Sequence, residues 1–135
     1  MYSTLEEWLN CAEYVLSEGN PNVILCERGI RTFETYTRNT LDLSAVPAIN
    51  ELSHLPIIID PTHSTGRVSL IAPMCLAAVA AGADGMIIEV HNKPDEALCD
   101  ADQALKPEEF DDLMKRLRPL SSYLTKSGSE PPKNG

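Results

Sequence analysis

Four stretches of the chain carry residue types that can do chemistry together. They are Glu27-Arg28-Gly29, Asp60-Pro61-Thr62-His63, Glu89-Val90-His91, and the acid-rich segment from Asp95 to Asp102. A histidine nitrogen with two carboxylate oxygens is a mixed N/O donor set. It suits a divalent transition metal such as Mn, Fe, Co or Zn. An arginine presents a planar fork of donors that matches a phosphate or carboxylate. Metal ligands and an arginine on one face point to an anionic, phosphorylated substrate. Simpler readings exist for each residue. A histidine at a strand end is often structural, and Arg28 can pair with Glu27 or Glu89 in a network that only holds the fold. Glu89 closes an apolar run, where an unpaired carboxylate is costly, so it needs a partner, either metal or arginine. His54 and His91 read as structural or solvent-exposed. The acidic segment would ordinarily be a solvated turn, and spacing alone does not single out Asp100.

Positioning these residues requires elements that end together. Three short runs rich in β-branched residues precede the polar stretches: Val23 to Cys26, Ile57 to Ile59, and Met86 to Val90. They are continuously apolar rather than alternating, which suits parallel strands covered on both faces. Helical patterns separate them. The first runs from about Thr4 to Glu18, with Ser3 and Glu6 at capping-box spacing and Leu5, Trp8, Leu9, Ala12, Val15 and Leu16 on one stripe. Gly19 suits its left-handed stop. A second helix covers Ser44 to Leu52, and an Ala-rich third covers Val68 to Ala81. A fourth opens at Pro107, with Phe110, Leu113, Met114, Leu117 and Leu120 on one side. The order is α-β-α-β-α-β-α, which implies parallel strands joined by right-handed crossovers. In such folds the loops after the strands converge on one face, and that face holds the site. Arg28, His63 and Glu89 should therefore meet.

Composition narrows the function classes. The 135 residues fit one ordinary domain, and 43% hydrophobic with 23% charged residues is globular composition. Eleven basic against 20 acidic residues give a formal charge of -9, which disfavours nucleic acid and anionic membrane surfaces as partners. The N-terminus lacks a basic-then-apolar leader pattern and no apolar run reaches membrane-spanning length, so the expected location is cytoplasmic. Cys11, Cys26, Cys75 and Cys99 show no C-x-x-C spacing and read as buried or half-buried free thiols.

These residues also carry a family resemblance. Cys26-Glu27-Arg28-Gly29-Ile30-Arg31-Thr32-Phe33-Glu34, followed by Thr37-Arg38-Asn39-Thr40-Leu41-Asp42, resembles the type I DAHP (3-deoxy-D-arabino-heptulosonate 7-phosphate) synthases of the β subgroup. Asp60-Pro61-Thr62-His63-Ser64-Thr65-Gly66-Arg67, Ile88-Glu89-Val90-His91 and Ala97-Leu98-Cys99-Asp100 match in the same order. The resemblance spans roughly residues 4 to 124. The KDO-8-phosphate synthases share the ERG and D-x-T-H elements but lack the RTFE and TRNTLD run, and rank second.

The resemblance implies a TIM barrel that condenses phosphoenolpyruvate with erythrose 4-phosphate, the first step of the shikimate route to aromatic amino acids. It implies His63, Glu89 and Asp100 as ligands to a divalent metal and Arg28 as the phosphoenolpyruvate arginine. His63 and Asp60 are its catalytic candidates, Asp60 bordering the sugar-phosphate hydroxyls. It also implies a partial (β/α)8 barrel, an α/β fold holding the last three strands. The family's fourth ligand, a cysteine near the first strand, has no counterpart among the four cysteines. Residues 1–124 would form this part-barrel and 125–135 a disordered tail. A barrel removes its sheet edges only by closing. Leaving a few hundred Å² of interior apolar surface in water forfeits several kcal/mol at about 25 cal/mol per Å², comparable with a domain's whole stability. The chain is thus expected to depend on self-association or on a polypeptide supplying further strands, and to be inactive alone. A non-catalytic interaction module is the alternative of a different class.

Overall fold

The computed structural model describes residues 2–94 and 103–128. Asp100 and Cys99 lie outside the described residues, as does the whole acidic segment from Asp95 to Asp102. The elements are α1 (Leu5–Ser17), β1 (Leu25–Glu27), α2 (Ala45–Leu52), β2 (Ile57–Ile59), α3 (Pro61–Thr65), α4 (Val68–Ala81), β3 (Gly85–Met86) and α5 (Pro107–Gly128). The strands form a parallel sheet in the order β1-β2-β3, with Leu25 opposite Ile57 and Ile58 opposite Gly85. This is the α/β alternation expected.

α1 forms because its first turn is capped and one stripe is apolar. The Thr4 hydroxyl accepts the Glu7 N–H at 3.2 Å, and the Glu7 carboxylate accepts the Thr4 N–H at 2.8 Å. The capping box is therefore Thr4/Glu7, one residue beyond the Ser3/Glu6 pair expected. Both pairs satisfy the S/T-x-x-E spacing, and the helix begins at Leu5, where the apolar stripe starts. Leu5, Trp8, Leu9, Ala12 and Leu16 pack with Leu25, Ile57 and Ile59 of the sheet, Val46 and Ile49 of α2, and Ala78 of α4. Val15, expected on that stripe, is exposed.

A second cluster joins Ile71 and Cys75 of α4 to Leu105 and to Leu113 and Leu117 of α5. Burial pushes the Cys75 thiol up to about 11. Cys11, in contrast, is exposed, because it lies off the α1 stripe. α5 opens at Pro107 as expected and continues to Gly128, so its backbone is helical for four residues past Leu124; residues 129–135 lie outside the described residues.

The strands depart from expectation in one respect. Ile57 and Ile59 are fully buried while Ile58 and Cys26 are only partly so, and Ile24 and Ile87 are 61% and 46% exposed. The helices cover one face of the sheet thoroughly and leave the alternate residues less covered. β3 is also shorter than the apolar run that encodes it. The chain stays extended beyond it: the Ile87 N–H donates to the Ile59 carbonyl, and Val90 bridges Leu105 in parallel.

Candidate functional site

β2 ends at Ile59, and the next residue, Asp60, turns the chain into α3. Its carboxylate caps that helix by accepting the His63 N–H at 3.0 Å, and Pro61 fits the first helical position because its missing donor is not needed there. The same carboxylate reaches two further groups. One oxygen lies 2.8 Å from the His63 Nδ1, and that oxygen also accepts the Arg28 Nε–H at 2.9 Å. Asp60 is thus a hub, its side chain 2% exposed, between a guanidinium that is 54% exposed and an imidazole that is 21% exposed. Arg28 pairs with Asp60, and not with Glu27 or Glu89. The Asp60 oxygens are turned onto Arg28 and His63 rather than outward to solvent.

Glu89 leaves the same end of the sheet. Its N–H donates to the Thr62 hydroxyl at 3.2 Å, beside His63, and its carbonyl accepts the Leu105 N–H. The Asp60 N–H in turn donates to the Glu27 carbonyl at 2.8 Å. Arg28 directly follows β1, His63 lies in α3 just after β2, and Glu89 comes three residues after β3, so the three leave the same end of the sheet, as the alternation implied. Among the described residues, no group of three or more His, Cys, Asp or Glu side chains is gathered into a ready metal cage. His91 and His54 stand apart: the Lys93 N–H donates to the His91 Nδ1, and His54 is exposed.

The segment after β1 folds back over α3. Ile30 and Thr40 form an antiparallel bridge, and the Arg38 and Asn39 N–H groups donate to the Thr65 and Ser64 carbonyls at 3.1 and 2.7 Å. Gly29 is required at the crossing. Its φ is +96°, and a Cβ there would lie 2.7 Å from the Asn39 Cβ and 3.0 Å from the Ser64 Cβ. At the far end, the Arg67 Nε–H donates to the Tyr36 carbonyl at 2.7 Å, and its guanidinium stacks 4.0 Å from the Tyr36 ring centre. A cavity of about 400 Å³ opens beside Arg28, between Trp8, Cys26 and Asp42. Burial raises the Cys26 thiol, and the Asp60 carboxylate adds to the rise.

Sequence reasoning placed the strand-end residues but missed the hub, and it missed α3. The Asp-Pro pair at the end of an apolar run was the available signal, since it combines a capping residue with a first-turn proline.

Residues 1–125 match the DAHP synthetase I family. The chain is 53% identical over 122 residues to the phospho-2-dehydro-3-deoxyheptonate aldolase of Thermotoga maritima, covering 90% of this chain and 36% of that protein. It is 32% identical over 126 residues to a 2-dehydro-3-deoxyphosphooctonate aldolase of Geotalea uraniireducens, covering 85% of this chain and 45% of that one. Among solved structures, a truncated form of 3-deoxy-D-arabino-heptulosonate 7-phosphate synthase from Thermotoga maritima superposes with a TM-score of 0.89, over 91% of this chain and 47% of the other. The chain thus spans less than half the length of these relatives. Matched along nearly its whole length, it belongs to the DAHP synthetase I family.

Proposed function

We propose that this chain forms the part of a DAHP synthase that grips phosphoenolpyruvate and holds the metal-binding histidine, and that it acts in a closed barrel completed by further strands. The observation that carries this reading is the buried Asp60 carboxylate holding Arg28 and His63 at once. Arg28 spends its Nε–H on Asp60, and its two terminal nitrogens carry the remaining donors for the phosphate of phosphoenolpyruvate. That grip fixes C3 of the enol toward the carbonyl carbon of erythrose 4-phosphate, so two reactants meet in one geometry. C3 forms the new C–C bond, the aldose carbonyl oxygen takes a proton, and water adds at C2 as inorganic phosphate leaves.

The donor set fits a divalent metal. An imidazole whose Nδ1 meets a carboxylate has the arrangement usual for metal-binding histidines, and Glu89 would supply a carboxylate from the segment after the next strand. His63, Glu89 and Asp100 would hold the ion, which is Mn, Fe, Co or Zn by ligand type. When bound, it supplies Lewis acidity to an oxygen of water or of the aldose. In this reading Asp60 orients His63 and Arg28 rather than touching the sugar hydroxyls. The sheet is the last three strands of a (β/α)8 barrel, and the protein works in the cytoplasm.

The test is reconstitution. The chain is co-expressed with the remaining part of the Thermotoga relative and assayed, with divalent metal, for phosphate release from phosphoenolpyruvate and erythrose 4-phosphate. We expect turnover from the pair, none from the chain alone, and none from pairs carrying Arg28→Ala or His63→Ala. A stable pair without turnover would overturn the catalytic reading in favour of an interaction module.

A further inference from the structure

Glu27 is a carboxylate in the wrong company. It is the last residue of β1, on the face that packs under the helices, and it is 7% exposed. No cation is paired with it among the described residues. Instead its Oε1 accepts two main-chain N–H groups, from Gly29 at 2.8 Å and from Asp42 at 3.2 Å. Those two residues are the two ends of the segment that leaves β1, crosses α3 and returns to α2. Burial raises the Glu27 carboxyl above its ordinary range, and the two donated hydrogen bonds oppose the rise. An apolar side chain would be cheaper to bury here, so the carboxylate is retained for the acceptor it provides.

Arg28 lies between the clasp residue and the first amide it binds. We infer that Glu27 is a positioning residue: by closing the loop from Gly29 to Asp42, it fixes the main chain on both sides of Arg28 so that the guanidinium meets Asp60. Arg28 is then held twice, by Glu27 through the backbone and by Asp60 at Nε. This rests on the reading of Arg28 as the phosphate grip, so the experiment keeps the two claims apart.

Hydrogen exchange is followed by NMR on the full chain at the Gly29 and Asp42 amides, at the Arg28 Nε–H, and at the Ile57 and Ile59 amides as core controls. In Glu27→Leu we expect the first three protons to exchange about tenfold faster or more, the loss that follows removal of a buried charged acceptor, while the core controls hold. Glu27→Gln retains a carbonyl oxygen with two lone pairs and restores protection. If Glu27→Leu does not fold, Glu27→Asp serves, since one methylene less cannot reach both amides. An Arg28 Nε–H that exchanges as in the parent, or a Gln variant as damaged as the Leu one, would overturn the inference. Separately, adding phosphoenolpyruvate to the parent chain co-expressed with the remaining part of the Thermotoga relative should shift the Arg28 Nε resonance. A missing shift with the variant pattern intact would sink the phosphate grip and leave the clasp standing.

Discussion

At the scale of single residues the site turns on how one carboxylate is divided. Asp60 has two oxygens and serves three groups: the His63 amide, which is its helix-capping bond, the His63 ring and the Arg28 guanidinium. Removing its charge while keeping its shape separates these duties. Asp60→Asn retains a good N-cap, so α3 should persist. The amide has no charge to hold Arg28 and no anion to anchor the imidazole. A charged hydrogen bond in a buried place contributes roughly 1.5–3 kcal/mol, so the melting temperature should fall accordingly. If His63 binds metal, the loss of its anchoring carboxylate should weaken affinity for Mn or Zn by about 10–100-fold. Calorimetric titration of the reconstituted pair measures this, and unchanged affinity in the variant would remove Asp60 from that role.

At the scale of elements, α1 and α5 were legible because each carries a stripe of period 3.6, and α4 because a long Ala-rich apolar run closes at Gly82. α4 and α2 match their expected spans to within a residue, and Pro107 opens α5. That Arg28, His63 and Glu89 leave the same end of the sheet was legible for a related reason, since alternating strands and helices force strand ends to one side. The hub was not. Arg28 and Asp60 are 32 residues apart, and no local pattern says which of several acids a strand-end arginine will choose. α3 was hidden because Pro61–Thr65 is a single turn with no periodicity to read. The crossing of the 28–42 segment over α3 was equally invisible, yet it rests on Gly29. There Gly29→Ala combines a backbone conformation that L-residues resist, about 1–3 kcal/mol, with an overpacked contact of similar cost. We expect roughly 2–5 kcal/mol of lost stability in denaturant unfolding, and an Arg28–Asp60 pair that no longer forms. A variant within about 0.5 kcal/mol of the parent would show that the segment can lift from α3 freely.

At the scale of the molecule, two opposing forces act on the same surface. β1 and β3 each pair with one neighbour among the described residues, so each presents an unpaired edge, and such edges recruit other chains. Apolar side chains beside them are exposed: Ile24, Ile87 and Val90. Against association stands the net charge of -9, spread over a chain of 14.8 kDa, which keeps copies apart through long-range repulsion. Salt decides between them, because it screens the charge and leaves the apolar and backbone terms largely intact. The Debye length falls from about 10 Å at 0.1 M to about 3 Å at 1 M ionic strength. The chain alone should therefore gain mass with both protein concentration and salt in light scattering, the reverse of an assembly held by ion pairs. Co-expression with the remaining part of the Thermotoga relative should abolish that gain, since the partner strands occupy the same edges. A chain that stays at 14.8 kDa across the salt series would mean that these edges are already protected, and a pair that self-associates as strongly as the chain alone would mean that the partner binds elsewhere.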